Sequence, residues 1–112
     1  MTHTMKLQPD YNNYILKGTK RIELRLNDEK RKNIKIGDTI TFLKEPDLTE
    51  SFETKVTGLL NYATFSDLFD DFDISILSDS SMTKLELLNV LQKFYTEDMQ
   101  SKYGVLGIRF KL

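Results

Sequence analysis

The chain has 112 residues, a formal net charge of -1, one histidine and no cysteine. That length suits one domain with a modest core, residues 1–112 taken together. The charge balance excludes a generally basic nucleic-acid coat protein. Lack of cysteine excludes a disulfide frame, a thiolate metal site and a cysteine nucleophile, and fits a reducing compartment. No apolar run approaches membrane-spanning length, and Met1 to Met5 lacks the apolar core of a signal peptide. The expectation is a soluble, cytoplasmic protein with no membrane association.

In chain order, Thr4 to Gln8 reads as a short first strand. Pro9 suits the first turn of a helix, on which Tyr11, Tyr14 and Ile15 fall at helical spacing, and Gly18 supplies the stop. Arg21 to Leu26 alternates, with Ile22, Leu24 and Leu26 at a spacing of two, the period of a strand with one buried face. Arg21, Glu23 and Arg25 then share the opposite face, with Lys20 at the strand entrance just past the glycine turn. Asn27 to Asn33 is a polar loop or a single helical turn. Gly37-Asp38 marks a turn into a strand over Thr39 to Lys44, and Glu45 to Glu50 is a loop around Pro46. Phe52 to Leu60 reads as a long strand with Phe52, Thr54, Val56, Gly58 and Leu60 on one side, Gly58 marking a bulge or bend.

Thr64-x-x-Asp67 and Thr83-x-x-Glu86 resemble capping boxes. The second opens an amphipathic run of Leu87, Leu88, Leu91, Phe94 and Tyr95. Thr96 caps a further short helix ending near Tyr103-Gly104, and Leu106, Ile108, Phe110 and Leu112 alternate as a closing strand. Ser75 to Ser81 carries the weakest pattern. About five strands with inserted helices give an α+β fold, a small mixed β-barrel or strongly curled sheet with peripheral helices.

Charge is unevenly distributed. Residues 17 to 35 carry eight Lys/Arg against three carboxylates, a net of +5, whereas Ile36 to Leu112 carries a net of -6. A short, contiguous basic stretch places a cationic patch on an acidic body. An arginine held by a neighbouring carboxylate, as Glu23 would hold Arg25, is preorganised to donate its remaining N–H groups to a phosphate or a base edge. Alternatively, Glu23 accepts from the amino group of a cytosine-like base. Lys30, Arg31, Lys32 and Lys35 read as a solvated loop that steers a polyanion at long range. Tyr62 and Tyr103, at strand ends, are candidates for stacking on a base, weighed against half-buried core tyrosines. Tyr11 and Tyr14 read as helix packing.

Other chemistries lack their residues. His3 stands alone, without the partners of a zinc site or a catalytic triad, and falls near a mobile terminus. Asp67, Asp70, Asp71 and Asp73 lack the spacing and glycine of a calcium loop. Neither a P-loop nor a G-x-G-x-x-G occurs. No metal and no cofactor are expected.

Gly18, Lys20, Glu23 and Arg25 spell G-x-K-x-x-E-x-R. With a helix ahead of it, Ile36-Gly37-Asp38-Thr39-Ile40-Thr41-Phe42 leading into a strand, and a closing Tyr103-Gly104-Val105-Leu106-Gly107-Ile108, the chain resembles the ASCH domain family of the PUA-like superfamily. The resemblance runs from about Met5 to Leu112. It implies a PUA-like β-barrel with helices around it, a cleft into which the motif's polar side chains project, and an RNA, nucleotide or nucleoside ligand. One branch resembles amidohydrolases that deacetylate N4-acetylcytidine with Lys, Thr and Glu, and other relatives are associated with ribonuclease activity. Lys20 matches the motif lysine, but Glu23 stands where that branch has threonine. The leading expectation is a ligand-binding cleft around Lys20, Glu23 and Arg25, with Arg21, Tyr62 and Tyr103 contributing. The enzymatic alternative is a metal-independent hydrolase using Lys20 and Glu23. A third reading is a module that meets an acidic protein partner.

Overall fold

The computed structural model describes residues 1–112. Six-residue β1 (Thr2–Leu7) leads through Gln8 into helix α1 (Pro9–Lys17), with Pro9 in its first turn. Gly18 ends α1 at φ 85°, the left-handed region, and its N–H donates to Ile15 O. Strands β2 (Ile22–Leu26), β3 (Thr39–Lys44) and β4 (Ser51–Tyr62) follow. Then come helices α2 (Phe65–Asp71), α3 (Ile74–Leu77), α4 (Lys84–Phe94) and α5 (Glu97–Tyr103), and strand β5 (Val105–Lys111). No helix is long and apolar enough to cross a membrane.

All three threonine caps form. Thr64, Thr83 and Thr96 accept from the backbone N–H of Asp67, Glu86 and Met99, and Thr83 with Glu86 completes a reciprocal capping box. In the weakly patterned stretch, Asp73 caps the four-residue α3 by accepting from Ser75 N–H.

The strands form one sheet in the order β1-β3-β4-β5-β2, antiparallel except for the β1–β3 pair. The sheet curls into a half-barrel of the PUA-like type, so its two edge strands, β1 and β2, approach each other. Arg25 spans the gap, donating from Nη2 to Lys6 O at 2.8 Å.

Strand alternation divides the apolar residues between the two faces. Met5, Leu7, Ile40, Phe42, Val56, Leu106 and Ile108 fill the inside of the curl with Ile15 and Ile34. Ile22, Leu24, Leu26 and Val105 face outwards, under a cover built from Phe65, Leu68, Phe69, Leu77 and Leu87. Gly107 permits that cover to approach: a Cβ there would meet Leu68 Cδ1 at 3.0 Å and Ile22 Cγ2 at 3.2 Å. The expected irregularity in β4 occurs between Val56 and Gly58. It changes which face later residues present. Leu59 packs on the inner core and Leu60 on the outer one, rather than Leu60 continuing the row of Phe52, Thr54 and Val56.

The N-terminal strand is better anchored than its composition suggests. His3 Nε2 lies 2.8 Å from Asp38 Oδ2, and the terminal ammonium 3.3 Å from Asp38 Oδ1. The bond to His3, then the Lys35 backbone N–H, hold the Asp38 carboxyl down to about 2.

Candidate functional site

β2 turns both of its faces into protein. Ile22, Leu24 and Leu26 point into the outer core as the alternation requires, which puts Glu23 and Arg25 on the concave face, opposite Ile108 and Leu106 of β5. The concave face is nearly closed at this point. Glu23 is only 5% exposed, and it is a full ligand of its surroundings: Oε1 accepts from Leu24 N–H at 2.8 Å and Oε2 from Arg25 Nη2 at 3.1 Å.

Lys20 departs from the solvated turn lysine that its position suggests. It is 3% exposed, and its amine donates to Ile22 O and to Leu77 O, both at 2.7 Å, while lying 3.6 Å from Glu23 Oε1. The reason lies in the stretch with the weakest sequence pattern. The segment after α3 clasps the start of β2: Arg21 N–H donates to Ile76 O at 2.7 Å, and the Thr19 hydroxyl lies 3.3 Å from Asp79 Oδ2. Leu77 O is thereby presented inwards, and the lysine turns in to meet it. The Tyr11 ring completes the enclosure, its centroid 5.7 Å from the ammonium.

Lys20, Glu23 and Arg25 are therefore one buried charge triad. Burial lowers the Lys20 pKa and the Arg25 charge lowers it further, while Glu23 opposes both. For Glu23, burial raises the pKa, but Arg25 and Lys20 outweigh it and hold the carboxyl below its usual range. Arg25 is disfavoured by burial and restored by Glu23, with a net rise. Glu23 and Arg25 are therefore held in their charged forms, whereas burial weakens the hold of Lys20 on its proton. The Lys20 amine is tied to the carbonyls of Ile22 and Leu77 and faces the Glu23 carboxylate.

The triad floors a cleft of about 240 Å³. α4 forms the apolar wall, with Leu87, Val90, Leu91 and Phe94, and Tyr95 follows at its end. Lys6, Leu7 and Gln8, where β1 enters α1, form the opposite rim with Tyr11 and Glu45. Phe94 is 54% exposed at the mouth. Arg25 uses only Nη2 on Glu23 and Lys6 O, and Tyr95 is its further polar neighbour within the cleft. The result is a chemically two-sided site: an aromatic and aliphatic wall facing a guanidinium held from behind.

Of the residues expected at a site, the structure brings Lys20, Glu23 and Arg25 together here. Arg21, Tyr62 and Tyr103 lie elsewhere. β2 starts one residue later than the sequence pattern suggests, because Arg21 N–H is drawn to Ile76 O. The Arg21 side chain stays exposed, with Nε donating to Gly18 O at 3.3 Å. Tyr62 donates its hydroxyl to Asp71 Oδ2 at 2.6 Å, and its ring packs against the outer core. Tyr103 also packs there, under the Lys102 ammonium. Sequence reasoning missed Tyr11, Phe94 and Tyr95. They belong to helical stripes that look like core packing, and the available signal was that the α4 stripe extends past the width needed to cover one sheet face.

The ASCH domain family model matches residues 5–112. The chain belongs to the ASCH domain family. Among solved structures, this ASCH domain is similar to a crystal structure of hypothetical protein PH0355, at 34% identity and TM-score 0.87, covering 99% of this chain and 98% of that one. A solution structure of protein PF0455 from Pyrococcus furiosus shares 30% identity at TM-score 0.78, covering 99% and 96%. The S128A mutant of ZmASCH from Zymomonas mobilis shares the fold, with 8% identity, TM-score 0.70 and coverage of 99% and 68%. No curated protein matches the chain.

Proposed function

We propose that this ASCH domain binds a base-bearing ligand, single-stranded RNA or a nucleotide, in the cleft between β2 and α4. The observation that carries the reading is Arg25, fixed through Nη2 to Glu23 and Lys6 O, on the floor of a cleft that Tyr11, Phe94 and Tyr95 also line. A base stacks on an aromatic surface whatever its identity, and a preorganised guanidinium reads acceptors on its edge or an attached phosphate. Glu23 is a positioning residue in this account. It holds Leu24 N–H and Arg25 Nη2 and is only 5% exposed, so it orients Arg25 rather than meeting the ligand itself. The cleft charge supports the reading: Lys6, Lys20 and Arg25 outnumber Glu23 and Glu45 by one. Membership of a family tied to RNA ligands points the same way.

Calorimetric titration with a single-stranded RNA oligonucleotide tests this. Arg25→Lys keeps the charge but loses the planar guanidinium, whose Nη2 holds Glu23 and Lys6 O while Nη1 and Nε stay available to the ligand, and should weaken binding by roughly 10-fold or more, the scale of one charge-assisted hydrogen bond. Unchanged affinity in Arg25→Lys, or equal binding of polyglutamate by the wild type, would sink the proposal, the latter in favour of an acidic protein partner.

The hydrolase reading has one observation in its favour: a cleft-lining lysine whose pKa burial lowers. Its amine is nevertheless tied to two carbonyls and faces an ionised carboxylate, and Glu23 occupies the position of the amidohydrolase threonine. Incubation with RNA and with N4-acetylcytidine, followed by mass spectrometry, should leave both substrates intact.

A further inference from the structure

We propose that Arg31, with Lys30 and the outer edge of β1, forms a second binding site that takes a phosphate group and adjoins the cleft through Arg25. Thr39 N–H donates to Met1 O and Glu45 N–H to Leu7 O, so the odd-numbered residues of β1 direct their backbone groups towards β3. The backbone groups of Thr2, Thr4 and Lys6 therefore face outwards along a sheet edge. Lys6 O is where Arg25 docks.

Beside the same edge, the turn after β2 leaves a cavity of about 280 Å³, lined by Thr2, His3, Thr4, Lys30 and Arg31 among others. Arg31 is the unusual member. Its Nε is shut off from solvent and has no hydrogen-bond acceptor, and no carboxylate pairs with its guanidinium. Nearby acids are engaged elsewhere. Asp28 Oδ1 accepts the backbone N–H of Arg31, Glu29 pairs with Lys32, and Asp38 pairs with His3. A buried, unpaired N–H on a charged group is costly to maintain and is the kind of exception that a ligand explains. Burial, and then repulsion from Arg25, lower the Arg31 pKa, and the attraction of Asp28, Tyr95 and Glu23 offsets them only in part. An anion between the two arginines relieves both penalties.

Phosphate suits this site better than carboxylate. A guanidinium fork engages two oxygens of an anion, which uses up a carboxylate. A phosphate keeps further oxygens for Lys30 or for an edge N–H of β1. Thr4, which shares the cavity lining with Arg31, and Lys6, where Arg25 docks, are two residues apart on β1, about 7 Å at the usual strand rise, so the cavity and the Arg25 anchor adjoin along one edge. One nucleotide can reach both. That continuity rests on the cleft reading above, whereas the anion site by itself does not.

The experiment follows the arginine Nε–Hε signals of the labelled protein by NMR during titration with inorganic phosphate, then repeats RNA binding with Arg31→Gln. Phosphate should shift the Arg31 signal saturably and leave exposed Arg109 unmoved. In Arg31→Gln the neighbouring Arg25 signal, which phosphate should also shift in the wild type, should no longer respond. The substitution should also weaken single-stranded RNA about 10-fold and flatten the salt dependence by roughly one unit of slope, while leaving the affinity for a nucleoside unchanged. An Arg31 signal that phosphate leaves in place, with RNA affinity equal in wild type and Arg31→Gln, overturns the inference while the cleft reading stands. A phosphate response at Arg31 in a protein that binds neither RNA nor nucleoside supports the anion site and removes the cleft reading instead. If Arg31→Gln fails to fold, the wild-type phosphate titration decides.

Discussion

Lys20→Met should destabilise the domain by about 3–5 kcal/mol, the cost of removing one partner from a buried ion pair. Methionine keeps the length and the apolar stem but removes the ammonium. Ile22 O and Leu77 O then lose their donor inside the protein, and Glu23 keeps only Arg25 and the Leu24 N–H. The loss also unfastens the segment after α3 from β2, because Leu77 O is one of the points at which they are joined. Domains of this size have about 5–15 kcal/mol in total, so the variant should sit close to unfolding at room temperature. Urea denaturation measures the change. A loss below about 1 kcal/mol would mean that the lysine behaves as a surface residue, contrary to its burial. Lys20→Arg is no simple rescue, since a forked guanidinium has to fit a space that holds a single amine between two carbonyls.

Leu24→Ala should cost about 2–5 kcal/mol. Leu24 belongs to the outer core with Ile22, Leu26, Phe65 and Leu68. It also lines the cleft, and its N–H holds Glu23. Truncation should therefore loosen the site together with the core, and ligand affinity should fall in the variant fraction that remains folded. Leu16→Ala is the control. At 52% exposed, Leu16 lies on the outside of α1, and its replacement should stay within about 0.5 kcal/mol of wild type. Equal effects at the two positions would contradict the assignment of the β2 faces.

Much of this architecture is written in local pattern. Alternation places β2, β3 and β5, the three threonines place three helix starts, and Gly18 ends α1, since each is determined by residues within a few positions of one another. The bulge at Gly58 is also legible, but its consequence is not. A single extra residue moves Leu60 to the other face, and sequence period alone does not say where the count resumes. Lys20 is the clearest case of tertiary context overriding local reading. Charge and a preceding glycine suggest solvent, but what buries it is the Leu77 carbonyl, 57 residues away and in the stretch with the weakest pattern. The aromatic side of the cleft was hidden for a related reason. Tyr11 and Phe94 sit on stripes that do pack against the core, and only the approach of α1 and α4 around β2 leaves their outer members facing an open space. Arg31 belongs to a charge run that reads as solvated, and Lys30, Lys32 and Lys35 are indeed exposed. Only its half-buried side chain, with Nε shut off from solvent, separates it from them.

The central claim is that the β2–α4 cleft is where a base-bearing ligand sits. Chemical-shift mapping with a short single-stranded RNA on the labelled wild-type protein tests it most directly. The account predicts saturable shifts concentrated on the aromatic signals of Tyr11, Phe94 and Tyr95 and on the Arg25 side chain, with Tyr62 and Tyr103 unmoved. Shifts centred on Tyr62, Tyr103 or Arg21 instead, with the cleft signals unchanged at saturation, would contradict it.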